Sequence, residues 1–317
     1  MKKTYSTTHW DRSSQSAPTL NQIFNNPAFR GQERDFDILI AALRYNYLTP
    51  RQVAQFTQSN LRGIQRRLNQ LHAIGLLDRT RYSYRQDPYA KVRKNGDIIT
   101  LYRPVNESVY ALSPLGMEYL VWGEEPLAID WQDDWRPKTV GYSRKLSMGH
   151  ELARNDVCLA MMAEAEQLNR PMMDWMSSRE GYARLPATSN GHATHIEPDA
   201  VLLLDTGRPL LVEYERSGRS TKYHAKIRNF RRYLAGGYWK EQYALEPWVV
   251  YAVAPGLGTQ QTPKGSYNGL IEAVQSFGAR RYLVLNDDAW REGQWKAANS
   301  EGRLVNFWET VWGKDYT

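Results

Sequence analysis

The chain is poor in the residues that several common chemistries require. It has one cysteine, Cys158, in 317 residues, which excludes an intramolecular disulfide and any cysteine-rich zinc centre. Cys158 lies in an apolar helical pattern and reads as a small core residue. No apolar run approaches the length of a membrane helix, and the N-terminal MKKTYSTTHWDRSSQS has no signal-peptide core. No contact with a membrane is expected, and the expected location is the cytoplasm. Gly256 and Gly258 follow an apolar strand but lack the spacing and the Lys-Ser/Thr of a phosphate loop. No Gly-x-Ser-x-Gly elbow is present, and the lone cysteine has no evident partner, so nucleophilic catalysis has no support. His192 and His195 stand three apart in a loop-like stretch, a weak metal-ligand spacing, and they read as surface residues. His150 is expected to have a structural hydrogen-bonding role.

What the chain has in excess is positive charge. Its net charge is +7 and its pI is near 9.3, with 24% charged and 42% hydrophobic residues. That is a globular composition with room for two cores, and its basic balance favours a polyanion such as DNA as partner.

Residues 1–32 are polar and aperiodic and read as a flexible tail. Residues 33–122 are compact. A helix over DFDILIAALRYNYLT is followed by Thr49-Pro50, which caps and starts a short second helix. A third helix runs from Asn60 to Ile74 and stops at Gly75; Leu61, Ile64, Leu68 and Leu71 form its apolar stripe. Its other face carries Asn60, Arg62, Gln65, Arg66 and Asn69, side chains able to bond phosphates and base edges. Strands over Leu76 to Tyr82 and Val109 to Leu112, with a hairpin turn at Asn95-Gly96, are followed by a helix opening at Ser113-Pro114. Between Arg79 and Arg103 stand seven basic and two acidic residues, among them Arg79, Arg81, Lys91, Arg93 and Lys94. Tyr82, Tyr84 and Tyr89 interleave with them and are assigned to packing rather than base stacking. Residues 123–142, with Trp131 and Trp135, read as a linker between domains.

Residues 143–317 read as an α/β domain with a mixed central sheet, in the order helix, three strands, helix, strand, helix, strand. The opening helix carries Glu151 and Asn155 on one face. The segment EPDAVLLLDTGRPLLVEYERSGRSTKYHAKIRNFRRY reads as strand, turn, strand and basic helix. Glu213 and Glu215 alternate onto one face of the second strand. If the turn at Asp205 to Arg208 closes a hairpin, Asp199 returns beside them. Carboxylates gathered at a sheet end repel unless a cation lies between them, and a divalent metal beside lysines is the equipment for phosphodiester cleavage. An ion-pair network between these acids and the basic helix is the competing reading.

The segments NLRGIQRRLNQLHAIGLL and VYALSPLGMEYL resemble a winged helix-turn-helix domain, in which the third helix enters the major groove and the wing touches the backbone. The order of the second half, with Pro198-Asp199 and acids some fourteen residues later, resembles the PD-(D/E)XK nuclease superfamily, whose fold is restriction-endonuclease-like. The two together, with HELARNDV and PDAVLLL, VEYERSGRS and a following lysine, resemble the plasmid replication-relaxation family. That resemblance implies a role in replication, relaxation or transfer of plasmid or mobile-element DNA, replication or transfer proteins as further partners, and either a metal-dependent endonuclease or a non-catalytic DNA-binding initiator, accessory factor or regulator. Carried over residue by residue, it makes Asp199 and Glu213 ligands of Mg²⁺ or Mn²⁺ and puts Glu151 at the edge of the site. The superfamily's lysine position is occupied here by Glu215. Lys222 or Lys226, four apart on the following helix, would take over the lysine's role of stabilising charge on the phosphate. Winged-helix proteins often dimerise, and a homodimer would read a palindromic site.

Overall fold

The computed structural model describes residues 19–25, 31–92, 98–136, 142–187, 194–215, 220–253, 263–278, 280–286 and 290–313. The chain is α+β and forms two compact units, Met1–Asn155 and Asp156–Thr317.

The first unit contains α1 (Leu20–Phe24), α2 (Glu33–Tyr45), α3 (Pro50–Phe56), α4 (Leu61–Ala73), β1 (Leu77–Val92), β2 (Ile98–Leu112), α5 (Pro114–Trp122), α6 (Pro126–Trp131) and the first half of α7 (Tyr142–Gln167). The helix starts follow local chemistry. Thr49 closes a capping box with Gln52 and is followed by Pro50. Asn60 caps α4 through its side-chain oxygen, and Ser113 caps α5 by accepting from the Gly116 N–H. Ile64, Leu68 and Leu71 of α4 are buried, as the periodicity requires, whereas Leu61, the fourth member of the expected stripe, is exposed in the first turn of the helix. Arg67 falls on that same face and is also buried, forked onto the fully buried Asp35 of α2.

β1 and β2 are longer than the hydrophobic pattern indicates. They pair antiparallel from Leu77↔Leu112 to Val92↔Ile98, with a register shift between Gln86 and Pro88, a ribbon about 50 Å long at the usual rise per residue. Backbone pairing needs no alternation of apolar side chains, which is why the pattern stops short of the strand ends. The Asn95-Gly96 turn lies outside the described residues. Tyr82 packs on a cluster of Tyr47, Val109, Ala111, Met148 and Leu152, in line with its assigned packing role; the side chains of Tyr84 and Tyr89 lie outside the described residues. Where the sequence suggests a linker, α6 is helical, with Ala128 and Trp131 buried. The first half of α7 belongs to this unit too. Gln52 donates to the Leu152 carbonyl, and Asn155 donates to that of Tyr47.

The second unit contains β3 (Asp174–Ser177), β4 (Ala183–Leu185), β5 (Thr194–Ile196), β6 (Ala200–Leu203), β7 (Pro209–Glu215), α8 (Ser220–Ala235), β8 (Trp248–Val253), α9 (Pro263–Ser276), β9 (Tyr282–Asn286), β10 (Lys296–Asn299), β11 (Leu304–Asn306) and α10 (Phe307–Trp312). Seven strands form a mixed sheet in the order β11-β10-β9-β8-β7-β6-β3. β7, β8 and β9 are parallel, joined by α8 and α9, and both flanks are antiparallel. Four strands and one helix go beyond the expected order: β10 and β11 at one edge, the separate β4-β5 pair, and the C-terminal α10. Three- and four-residue strands carry too few residues for a period to register. Ile227, Phe230 and Tyr233 of α8 pack on Leu211, Val249 and Tyr251 of the sheet. Cys158 is buried. Among the described residues, no helix is long and apolar enough to cross a membrane.

Candidate functional site

The site is built on the β6-β7 hairpin. Leu204 and Arg208 close its turn by a hydrogen bond, with Gly207 at φ +77°, a left-handed conformation that suits glycine. The register pairs Ala200 with Val212, so Asp199, one residue before β6, arrives opposite Glu213. The Tyr214 backbone N–H donates to Asp199 Oδ2 at 2.8 Å, which fixes the aspartate against β7. Glu213 is 2% exposed. One oxygen, Oε2, accepts from the Lys226 ammonium on α8; the other, Oε1, is buried without a hydrogen-bond partner.

Together Asp199, Glu213 and Lys226 line a cavity of about 360 Å³ with Ser178, His195, Ile196, Glu197, Asn229 and Phe230. Its electrostatics follow from burial. Desolvation first, and the Asp199 charge second, push the Glu213 carboxyl well above the usual range, against the pull of Lys226. Desolvation works against the Lys226 ammonium, but Glu213 and then Asp199 hold it above the ordinary lysine value. Two carboxyl groups facing one another with one lone pair unsatisfied call for a proton or a further cation between them.

The other sequence-derived site residues are distributed as follows. Glu215, the last residue of β7, is half-buried and does not line the cavity. Glu151 lies on the part of α7 that belongs to the first unit, as does His150. The side chain of Lys222 lies outside the described residues. Among those that are described, no group of three or more His, Cys, Asp or Glu is placed to hold a metal ion. His195, read from sequence as a loop residue, is on strand β5 and lines the cavity; His192 lies outside the described residues. Ser178, Glu197 and Asn229 carry no sequence signal, because three separate elements bring them to the cavity.

In the first unit, Arg62, Gln65 and Arg66 are exposed on α4, and Arg81 is exposed on β1. Asn60 spends its side-chain oxygen on the helix cap. Asn69 accepts from Arg79 at 3.0 Å and from the Tyr110 hydroxyl at 2.9 Å, tying α4 to the ribbon. The side chain of Lys91, and Arg93 and Lys94 entirely, lie outside the described residues.

The replication-relaxation family model matches residues 40–249, a span that takes in α4, the ribbon, the β6-β7 hairpin and α8. No curated protein and no solved structure matches the chain. On that match the chain belongs to the replication-relaxation family.

Proposed function

We propose that the protein acts in replication or relaxation of plasmid or mobile-element DNA as a metal-dependent endonuclease or nicking enzyme, directed to DNA by a winged helix formed by α2 to α5 and the β1-β2 ribbon. Family membership supports the DNA-replication setting. The observation that carries the cleavage chemistry is the buried Glu213, with an unpartnered Oε1, Lys226 on its other oxygen and Asp199 on the same cavity. This donor set fits Mg²⁺ or Mn²⁺, since such ions keep several waters and accept one or two carboxylates together with a phosphate oxygen.

Asp199 and Glu213 would hold that ion, which would supply a nucleophilic water of lowered pKa and neutralise the phosphate. Asp199 is kept in place by the Tyr214 N–H. Lys226, 45% exposed in its side chain, reaches the cavity from α8. Its ammonium balances Glu213 and offers its remaining donors to a phosphate oxygen. Glu215 sits beyond the pair as a further negative charge. Arg62 and Arg66 on α4 would contact DNA, with Arg81 of the ribbon on the flanking backbone.

A second reading has its own support. Lys226 already neutralises Glu213, and no third ligand joins the pair among the described residues, the arrangement expected of a nuclease fold used to grip DNA without cutting it. Incubating the protein with supercoiled plasmid separates the two. Nicking or linearisation with Mg²⁺ or Mn²⁺, absent in EDTA and in Asp199→Ala, is expected. Intact supercoiled DNA in every lane, alongside a mobility shift, would establish the second reading.

A further inference from the structure

An aromatic pair extends the wall of the acid cavity. His195 lines that cavity, and the Tyr182 ring stacks on it with centroids 5.3 Å apart and planes 28° from parallel. Tyr182 is 44% exposed, one of few large apolar side chains left in solvent among the described residues. The β4-β5 register sets Arg184 beside His195, and both are exposed while Leu185 and Ile196 turn into the core. A flat aromatic surface and a guanidinium thus adjoin the Asp199–Glu213–Lys226 cluster.

This surface is held firmly. Asn229 of α8 donates to the His195 carbonyl at 3.1 Å; Arg232 donates to the Thr194 hydroxyl and to the Pro186 carbonyl. Gln242 donates to the Tyr182 carbonyl and accepts from the Tyr233 hydroxyl. Gly181 sets how close Tyr182 comes to the acid site. A Cβ there would meet Val201 Cγ2 at 2.6 Å and Pro198 Cγ at 2.7 Å, so glycine lets this backbone lie directly on the segment that carries Asp199.

We infer that Tyr182 and His195 form a stacking platform for an unpaired nucleobase, so that the cavity takes single-stranded DNA next to the phosphodiester bound by Asp199, Glu213 and Lys226. Bases inside a duplex are stacked on their neighbours and offer no free face. An unpaired base has one, and aromatic stacking captures it without regard to sequence. Arg184 supplies the cation for the adjoining phosphate. The inference rests on the phosphodiester site proposed above.

The test is fluorescence anisotropy of the full chain, in EDTA, with a labelled single-stranded oligonucleotide and with its duplex. Tyr182→Ala is expected to weaken single-strand binding about tenfold, the usual yield of one base–aromatic stack, and to leave duplex affinity within twofold. Tyr182→Phe, which keeps the ring, should bind as the parent does. Unchanged single-strand affinity in Tyr182→Ala, or an equal loss on duplex, overturns the inference. Should Tyr182→Ala fail to fold, single abasic substitutions along the oligonucleotide take its place with the parent protein. One position at which loss of the base weakens binding about tenfold supports stacking, and a flat scan overturns it. Binding in EDTA is independent of cleavage, so metal-dependent nicking combined with a flat scan would sink the platform and leave the nuclease standing.

Discussion

Lys226 on α8 and Glu213 on β7, thirteen residues apart in sequence, form an ion pair in which one member is buried and the other reaches solvent. The carboxylate is therefore held where water cannot solvate it, with the Asp199 charge nearby. The pair links the basic helix to the acidic hairpin and gives the cavity its polarity.

Replacing Glu213 by Gln should separate function from stability. The amide oxygen can still accept from Lys226, and the neutral amide removes the charge that burial and Asp199 both disfavour. Metal-dependent nicking is expected to vanish, while the melting temperature in EDTA stays equal or rises. Lys226→Ala should lower the nicking rate roughly 10²- to 10³-fold. Full activity in either variant would remove the residue it replaces from the chemistry.

Arg62 and Arg66 are exposed on α4 and should make phosphate contacts. Each Ala substitution is expected to weaken DNA binding across sequences and to flatten the slope of log K against log salt by roughly one. Titrations at several salt concentrations measure this. Unaltered affinity in both variants would mean that α4 does not face DNA.

The Asp35–Arg67 pair is a stability element of the first unit. Asp35 is fully buried and Arg67 is 5% exposed, so Asp35→Ala strands a buried guanidinium at a cost of about 3–5 kcal/mol. Asp35→Leu combined with Arg67→Met should cost far less, because no charge is left unpaired. Urea denaturation of both variants is the check, and equal losses would show that packing, not charge, holds this contact.

Tyr243 predicts an alkaline limit. Burial first, and Glu180 second, push its phenol up to about 12 from 10.0. The unfolded chain loses this proton near pH 10 while the folded chain keeps it. The stability it contributes is thus fully present below pH 10 and is lost as pH rises towards 12. In Tyr243→Phe the urea midpoint should fall less steeply between those values; parallel curves for parent and variant would refute the assignment.

Local rules made much of this protein legible in its sequence. The Thr49 and Ser113 caps, the apolar stripe of α4 and the glycine-containing turn after β6 each depend on residues a few positions apart. The return of Asp199 towards Glu213 follows from hairpin geometry once both strands are placed. The sequence leaves the lysine open between Lys222 and Lys226, because residues four apart share a helix face and their distance from β7 depends on how α8 docks. Docking brings Lys226 to Glu213. The same limit applies to Arg67, whose helical position does not reveal a partner thirty-two residues away, and to Asn69, whose oxygen is taken up by Arg79 and Tyr110.

The sequence by itself determined the basic balance, the helix starts and stops, the β6-β7 hairpin and the family. Each rests on composition, on contacts within a few residues, or on motif order. Tertiary structure alone decided which charges meet and which stay exposed, that β4 and β5 carry His195 to the cavity, and that Glu213 is buried with one oxygen unsatisfied. Those outcomes depend on the packing of α8 against the sheet, a long-range arrangement that no local period encodes.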